Sequence, residues 1–333
     1  MEHGNKDKGF GLNGIRAKLI LIMVLLAAIP IVVTTLIAVR TLTNDALEEG
    51  EALNLKQARI VESDFNALIE QNLRLLELIS DDDATVALIK NPTDEELLAE
   101  LKDALEAIDE ILADGNSTVL TGADGENIVR SSGELVSIAD REYFKEAMKG
   151  NANISNPTVS KTTGQLICVI AVPVRSEETG EVLGVLTRNY AIAFLHDMLI
   201  EESEGDQIMF IVDTDGVVIA HSGHEINADS AEDNRSASEY FNSTSKTGTV
   251  ISDEIGYDQV MSWNKDDATG WTIVAARAYS SMMSGARRTA VIFVVIGIAL
   301  AVAAAAVALY MAASINKPIE LLNDSLAELA NGN

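Results

Sequence analysis

Two uncharged apolar runs, one near each end of the 333-residue chain, constrain its fold more than any other feature. Residues 19–39 read LILIMVLLAAIPIVVTTLIAV and lie between Lys18 and Arg40, and residues 289–313 read TAVIFVVIGIALAVAAAAVALYMAA. At a rise of about 1.5 Å per residue, each run as a helix is about as long as a bilayer's hydrocarbon core is thick. We therefore predict two transmembrane helices with a water-exposed segment, residues 40–288, between them.

The first run could instead be the apolar part of a cleaved signal peptide. Its length exceeds the usual apolar length of about 7–15 residues in such peptides, and no convincing small-residue cleavage site follows it. We therefore expect this run to remain in the chain as a membrane anchor.

Basic residues beside the two runs predict their orientation, because short cytoplasmic flanks are enriched in Lys and Arg. The first 18 residues carry four basic side chains against two acidic ones: Lys6, Lys8, Arg16 and Lys18 against Glu2 and Asp7. Residues 1–18 are therefore expected in the cytoplasm, and the second crossing returns residues 314–333 to the same side. Arg287 and Arg288 weaken this bias locally, but the first helix usually dominates.

The segment between the two runs is strongly acidic. It holds 19 of the 24 Lys and Arg residues and 46 of the 51 Asp and Glu residues, so it carries the whole net charge of −27. Such a surface repels phosphate backbones, which excludes nucleic acid as a partner. Hydrophobic residues make up 47% of the chain, too many for a disordered acidic tail. We therefore expect a folded extracytoplasmic domain on a multi-pass protein of the cell membrane.

Two helices are predicted at the start of this domain, over about residues 40–113. Residues 42–79 contain no proline, and apolar residues on one face include Val61, Phe65 and Ile79. A second helix is expected from Thr93, where Thr-Asp-Glu-Glu has the spacing of a capping box, and Gly115 is expected to end it.

After Gly115 the pattern changes to strands and turns, and the chain repeats itself. Residues 119–133 resemble residues 210–223, because in each an Asp-Gly turn joins two β-branched runs and leads to Ser-Gly. Glu-Tyr-Phe at 142–144 recurs at 239–241, and further strand patterns follow each copy. The sequence therefore predicts an α+β fold of two tandem modules with antiparallel sheets on one long N-terminal helix, a membrane-distal module over 114–204 and a membrane-proximal module over 205–280.

These features together resemble the double Cache (dCache) sensor domains of bacterial transducers, which consist of two PAS-like modules. The residues that carry the resemblance are ADREYFKEAMKG, SNPTVSKTTGQLICVIAVPV and GEVLGVL in the first module. After the second apolar run, INKPI at 315–319, followed by Leu322, Leu326, Leu329 and the closing ANGN, resembles the first helix of a HAMP linker. Residues 314–333 are accordingly expected to be the start of a HAMP linker, with cytoplasmic signalling partners reached through a part beyond it.

The sequence offers little for catalysis, and we predict no enzyme, no catalytic residue, no cofactor and no metal site. The exported segment lacks a Gly-rich phosphate loop, a nucleophile elbow and a metal triad. His221 and His224 could hold a metal, but an exposed turn accounts for them better. Asp213 and Asp215 fit a turn better than a calcium loop, and Cys168 fits a buried strand.

Candidate binding residues cluster in the first module. Residues 147–176 contain no carboxylate, while Lys149, Lys161 and Arg175 supply positive charge, which is unusual in so acidic a chain. Arg141 precedes two aromatic residues, Tyr143 and Phe144. A guanidinium can bind a carboxylate bidentately while rings enclose the rest of a small ligand. The alternative is that Arg141 forms a surface ion pair and that the rings belong to the core.

The resemblance refines this prediction. In amino-acid-sensing members of the family, an Arg-x-aromatic-aromatic run binds the ligand carboxylate, and aspartates of the next strands bind its ammonium group. The first part matches here, whereas Thr158 and Ser160 stand where a Tyr and an Asp are expected, and Asn189 replaces the other Asp. We therefore expect a small anionic or neutral ligand, such as a short carboxylate or hydroxy acid. The predicted ligand-binding residues are Arg141, Tyr143, Phe144, Thr158, Ser160, Lys161 and Asn189.

The favoured hypothesis is a homodimeric transmembrane chemoreceptor that senses a small extracellular molecule, because chemoreceptors are the commonest proteins with this layout. The sensor part of a histidine kinase or diguanylate cyclase, and an amino-acid receptor, are alternatives with the same architecture. A solute-binding envelope protein without signalling is a more distant alternative, and an exported enzyme is more distant still.

Overall fold

The computed structural model describes residues 15–226, 233–254 and 256–330. The contacts divide the described residues into two compact units, one formed by those up to 49 together with those from 280 onward, and the other by those from 50 to 279. Most of the predicted cytoplasmic tail, residues 1–14, and the last three residues of the closing ANGN lie outside the described residues.

Two long helices form the first unit. Helix α1 (Ile15–Ser80) continues from it into the second unit, and helix α8 (Ser284–Ala330) closes the chain. Both predicted membrane runs lie in these helices, which are long and apolar enough to cross a bilayer by length and composition. A Cβ atom at Gly297 would lie 2.8 Å from Oγ1 of Thr35, so the two helices approach closely there. The predicted HAMP start lies within α8, but from Ile315 onward its side chains are outside the described residues.

The part of α1 in the second unit forms one wall of the largest hydrophobic core. Val61, Phe65 and Ile79 are buried, as the sequence predicts. The same face also buries polar side chains that the apolar pattern did not indicate, among them Asn54 and Asn72. Their amides are used for contacts, since Asn54 Nδ2 donates to the carbonyl oxygen of Val260 at 3.0 Å.

Two shorter helices, α2 (Asp83–Lys90) and α3 (Glu95–Leu112), follow α1. The predicted capping box at Thr93 is not formed. Asp94 caps α3 instead, because its Oδ1 atom accepts hydrogen bonds from the backbone N–H groups of Glu96 and Leu97. The helix ends at Leu112. Ala113 follows in the left-handed conformation at φ 51°, two residues before the predicted stop at Gly115.

The distal module is an antiparallel six-stranded sheet in the order β2-β1-β6-β5-β3, with β4 also paired to β5. Its elements are β1 (Thr118–Gly122), β2 (Asn127–Arg130), α4 (Glu142–Met148), β3 (Asn153–Ile154), β4 (Thr158–Val159), β5 (Leu166–Arg175) and β6 (Val182–Ala191). Helix α5 (Ala193–Glu202) leads from this module to the next.

The proximal module repeats this plan with a five-stranded antiparallel sheet in the order β8-β7-β11-β10-β9. Its elements are β7 (Ile208–Val212), β8 (Val218–His221), α6 (Glu239–Asn242), β9 (Thr247–Ser252), β10 (Gln259–Lys265) and β11 (Thr272–Ala278), followed by the short helix α7 (Tyr279–Met282). The predicted turn chemistry is present, since Asp213 Oδ1 accepts the backbone N–H groups of Asp215 and Val217, both at 2.9 Å. The predicted α+β fold of two modules on a long helix is confirmed.

Each sheet packs against a hydrophobic core on both faces, and because strand side chains alternate, neighbouring residues of one strand belong to different cores. In β5, Cys168 and Ile170 face the core formed with α1 and α3, while Val169 and Ala171 face a second core beneath α4. The predicted buried thiol is confirmed, because Cys168 is 1% exposed and burial raises its pKa to about 12.

The thiol of Cys168 is therefore expected to resist iodoacetamide at pH 7 in the folded protein. Only the thiolate reacts, and both burial and the raised pKa keep its population low. Because this is the one cysteine of the chain, mass spectrometry after labelling reports on it alone. Labelling should go to completion once denaturant unfolds the domain, and reaction of the folded protein at the rate of a free thiol would contradict the burial.

Candidate ligand-binding site

A cavity of about 390 Å³, counting the part open to solvent, lies on the α4 side of the distal sheet. Six of the seven predicted binding residues line it: Arg141, Tyr143, Thr158, Ser160, Lys161 and Asn189. The seventh, Phe144, does not line the cavity, because its side chain is buried in the core beneath α4.

The alternation of strand β6 places part of this lining. Thr187 and Asn189 point to the cavity side, where Thr187 lies across from Val119 and Asn189 from Val169 in the neighbouring strands. The residue between them, Arg188, points to the opposite face. One strand therefore contacts the cavity on one face and the helical core on the other.

Arg141 closes a loop over the cavity. It precedes the first turn of α4 in an extended conformation, so its side chain leaves the helix axis and reaches the segment around β4. Its Nη1 atom donates to Oγ1 of Thr158 at 2.6 Å, and its Nη2 atom donates to the carbonyl oxygen of Val159 at 2.8 Å. A guanidinium has five N–H donors, so donors remain for a bound carboxylate.

Lys161 is the one cation of the acid-free stretch that lines the cavity. Its ammonium donates to Oδ1 of Asp140 at 2.5 Å and to the carbonyl oxygen of Ser137 at 2.8 Å. The hydrogen bond from Lys161 holds the pKa of the exposed Asp140 carboxyl below its usual value. Lys149 pairs with Glu146 instead, and the guanidinium of Arg175 binds backbone carbonyls outside the cavity.

The phenol of Tyr143 is held in its neutral form. Burial raises the pKa of Tyr143 to about 12, and the positive charges of Arg141 and Arg130 oppose this rise only in part. A neutral hydroxyl can both donate and accept a hydrogen bond, which suits contact with a ligand oxygen.

Arg130 also lines the cavity, although it is not among the binding residues predicted from the sequence. Its Nη2 atom donates to Oγ of Ser117 at 2.7 Å, and its buried Nε has no partner among the described residues. The internal repeat could have indicated Arg130, because it occupies the last position of β2, and the equivalent last position of β8 is held by His221.

A buried polar network lies behind the cavity, on the other face of β6. Arg188, 1% exposed, pairs with Asp109 of α3 and with Asp114, whose Oδ1 lies 2.6 Å from Nη2. The hydroxyl of Tyr190 lies 2.8 Å from Oδ2 of Asp114 and 2.7 Å from Oδ1 of Asn72 on α1. Burial alone would raise the pKa of Asp114, but hydrogen bonds, first of all from Arg188, lower it below its usual value.

The proximal module has a matching cavity of about 330 Å³ with different electrostatics. Its guanidinium, Arg235, is paired with Asp233 at 2.7 Å and with Glu254 at 3.0 Å. Burial first, and then the neighbouring His224, lower the pKa of His221 to about 4. Nδ1 of His221 accepts the backbone N–H of Gly223 at 3.0 Å, as in an ordinary turn. The described residues contain no cluster of three or more potential metal ligands.

Asn156 joins the loop over the distal cavity to the proximal module, and it too was missed. Its Nδ2 atom donates to Oγ1 of Thr214 at 2.7 Å, and its Oδ1 atom accepts from Nε1 of Trp271 at 3.0 Å. The ring of Trp271 stacks on Phe65 of α1, with centroids 5.3 Å apart. The loop, the proximal sheet and the long helix are thus in direct contact.

Comparisons with known proteins agree with this architecture. The family model dCache_1, described as a Cache domain, matches residues 38–286. The methyl-accepting chemotaxis protein McpB of Bacillus subtilis (strain 168) is 22% identical over 225 residues, covering 66% of this chain and 33% of that protein. The chain therefore matches about a third of the length of this curated relative.

Solved structures share the fold. The ligand-binding domain of the Pseudomonas fluorescens chemoreceptor CtaA in complex with L-isoleucine has a TM-score of 0.55 at 17% identity, covering 72% of this chain and 97% of that structure. The sensor domain of the V. cholerae histidine kinase DctB has a TM-score of 0.53 at 19% identity, covering 71% and 98%.

Proposed function

Because this chain belongs to the Cache domain family, in its dCache_1 form, we propose that it is a transmembrane chemoreceptor whose distal cavity binds a small extracellular ligand. The observation that carries the proposal is the set of six polar or aromatic side chains around that one cavity, contributed by α4, the loop at β4 and strand β6. In this proposal the protein binds a ligand and transmits a signal, and it does not catalyse a reaction.

The proposed ligand is a small organic acid. One structural relative was solved with L-isoleucine, an α-amino acid, whose ammonium group needs an acidic partner. Here Arg130, Arg141 and Lys161 line the cavity, and none of its described lining residues is Asp or Glu. An ammonium group would therefore lose charge-assisted hydrogen bonds of about 1.5–3 kcal/mol each, while a carboxylate would gain them.

The proposed topology has the Cache domain outside the cell membrane and both ends in the cytoplasm, as a homodimer. The two apolar helices and the net charge of the segment between them support the membrane topology. Output would pass from α8 into a HAMP linker and on to cytoplasmic partners. A histidine kinase output is the second candidate, because the DctB sensor domain shares the fold with a TM-score of 0.53.

The proposed signal begins in the loop that Arg141 holds over the cavity. A ligand bound to Arg141 either competes with or strengthens the hydrogen bonds of Arg141 to Thr158 and Val159. Ligand binding therefore shifts the equilibrium between two positions of this loop. Asn156, in the same loop, would pass the difference to Trp271, which packs against α1. Strand β11 follows Trp271 and leads through α7 into α8.

Calorimetric titration of the full chain in nanodiscs tests the ligand class. We expect acetate, propionate or L-lactate to bind, and L-isoleucine and L-alanine not to bind. Arg141→Gln should weaken carboxylate binding at least about tenfold, because it removes a charge-assisted contact. Lys149→Gln is the matched control, since this cation follows directly after α4 and does not line the cavity, and the ligand affinity of this variant should stay unchanged.

Two outcomes would contradict the proposal. Binding of the amino acids without any response to the organic acids would exclude the ligand class. Equal losses for Arg141→Gln and Lys149→Gln would place the binding site elsewhere.

A further inference from the structure

The distal cavity contains two guanidinium groups without a carboxylate partner. Among the described residues, neither Arg130 nor Arg141 has an Asp or Glu oxygen within 4.0 Å, whereas Lys161 is paired with Asp140. Both arginine side chains are half-buried, so they have lost part of their hydration. An anion that enters from outside the chain would stabilise a cation in this position.

Two other guanidinium groups of this domain that are removed from solvent do have carboxylate partners. Arg188 is paired with Asp109 and Asp114, and Arg235, at the matching cavity of the proximal module, is paired with Asp233 and Glu254. The chain has 51 acidic residues against 24 basic ones, so partners are abundant. The lack of a carboxylate at Arg130 and Arg141 is therefore a specific property of the distal cavity.

The two guanidinium groups that lack a carboxylate partner both act on the phenol of Tyr143. Both oppose the rise that burial causes in the pKa of Tyr143, so both lie within electrostatic reach of its hydroxyl. The hydroxyl of Tyr143 is thus within reach of both positive charges, and also of the negative charge of Asp140, which is itself paired with Lys161. Apolar side chains, including Val136, Ile138 and Ile167, complete the lining.

We propose that Arg130 is a second anion-binding residue and that the cavity takes a short aliphatic dicarboxylate, with one carboxylate at Arg141 and the other at Arg130. The apolar lining then contacts the carbon chain, and the Tyr143 hydroxyl contacts a carboxylate oxygen. This inference rests on the proposed function of the same cavity and narrows its ligand from an organic acid to a dianion.

Arg130 could instead serve the network on the other face of the sheet. Asp109 shares Arg188 with Asp114, and its negative charge offsets part of the lowering that burial causes in the pKa of Arg130. In that role Arg130 would stabilise the fold without contacting ligand. The two roles differ in what the loss of Arg130 does to ligand preference.

The experiment compares acids of equal carbon number that differ by one charge. Malonate, succinate and glutarate are titrated into the full chain in nanodiscs beside propionate, butyrate and pentanoate. We expect the best dicarboxylate to bind at least about tenfold more tightly than its matched monocarboxylate, since it gains a second charge-assisted contact. Arg130→Gln should remove this preference, with monocarboxylate affinity changed by less than about threefold.

The controls separate this inference from the proposed function. Arg175→Gln, a guanidinium outside the cavity, should keep the preference for the dicarboxylate. Equal affinity for both acids in the unmodified chain, or an Arg130→Gln variant that melts at lower temperature but keeps the preference, overturns the dianion and leaves an organic-acid receptor. Binding of L-isoleucine in place of every acid overturns both.

Discussion

Replacing Arg188 with methionine is expected to lower the free energy of unfolding of the Cache domain by about 3 kcal/mol or more. Methionine keeps much of the buried volume but removes the positive charge between Asp109 and Asp114. Breaking a buried ion pair by removing one partner leaves the other charge uncompensated, which typically costs about 3–5 kcal/mol. Because the two carboxylates retain some solvent contact, the lower end of this range applies.

Urea unfolding at pH 7, followed by iodoacetamide labelling of Cys168, measures the effect in the distal module itself. Arg74→Met is the matched control, because Arg74 forms an ion pair with Glu70 on the exposed face of α1. Exposed pairs of this kind contribute less than about 1 kcal/mol. Similar losses for both variants, or a loss below about 1 kcal/mol for Arg188→Met, would show that the network is not an essential part of the core.

The same network predicts a pH dependence with a definite sign. The folded pKa of Asp114 lies below its usual value of 3.8, so its stabilising contribution is complete at neutral pH and is lost as pH falls from about 4 through the folded pKa. In Arg188→Met, the hydrogen bond from Arg188 to Asp114 is lost, so the effect of burial dominates and the pKa of Asp114 rises. The gap in stability between the variant and the unmodified chain should therefore narrow below about pH 4. A constant gap would mean that Asp114 is not linked to Arg188.

The sequence predicted the fold well where one physical pattern dominates. Periodicity and turn chemistry predict the two apolar runs, the long helix whose Phe65 faces the hydrophobic core, and the two Asp-Gly hairpins. Elements of a few residues escaped prediction, such as β4 at Thr158, because pairing with β5 rather than local preference makes them strands. The start of α3 was shifted by one residue, because the carboxylate of Asp94 outcompeted the hydroxyl of Thr93.

The candidate site was predicted in part for a related reason. Arg141 and Asn189 were found because the resemblance to a family marks those positions, and the structure brings them to one cavity. Arg130 and Arg188 were missed, since the function of an isolated basic residue depends on which face of the sheet it reaches. Strand alternation gives that face only when the register with neighbouring strands is known. Phe144 shows the converse, because it lies next to Tyr143 in sequence but faces the core.

Gly125→Ala is expected to have the second largest effect, because this turn glycine touches the segment that carries Arg141. A Cβ atom at Gly125 would lie 2.5 Å from both Cα and Cβ of Ala139, two residues before Arg141. The backbone of Ile138 also donates to the carbonyl oxygen of Gly125 at 2.8 Å, so the two segments cannot separate freely. The φ angle of +83° adds about 1–2 kcal/mol for any residue with a side chain.

Together these costs are expected to lower the free energy of unfolding of Gly125→Ala by roughly 3 kcal/mol, with ligand affinity reduced as the start of α4 shifts. Gly164→Ala is the matched control, since φ there is +71° but nothing lies within 4 Å of its added Cβ. Gly164→Ala should lose only the cost of the left-handed backbone, about 1–2 kcal/mol of the free energy of unfolding, and should keep its affinity for carboxylates. Urea unfolding and carboxylate titration of both variants measure the difference. Equal losses would mean that the turn does not position Arg141.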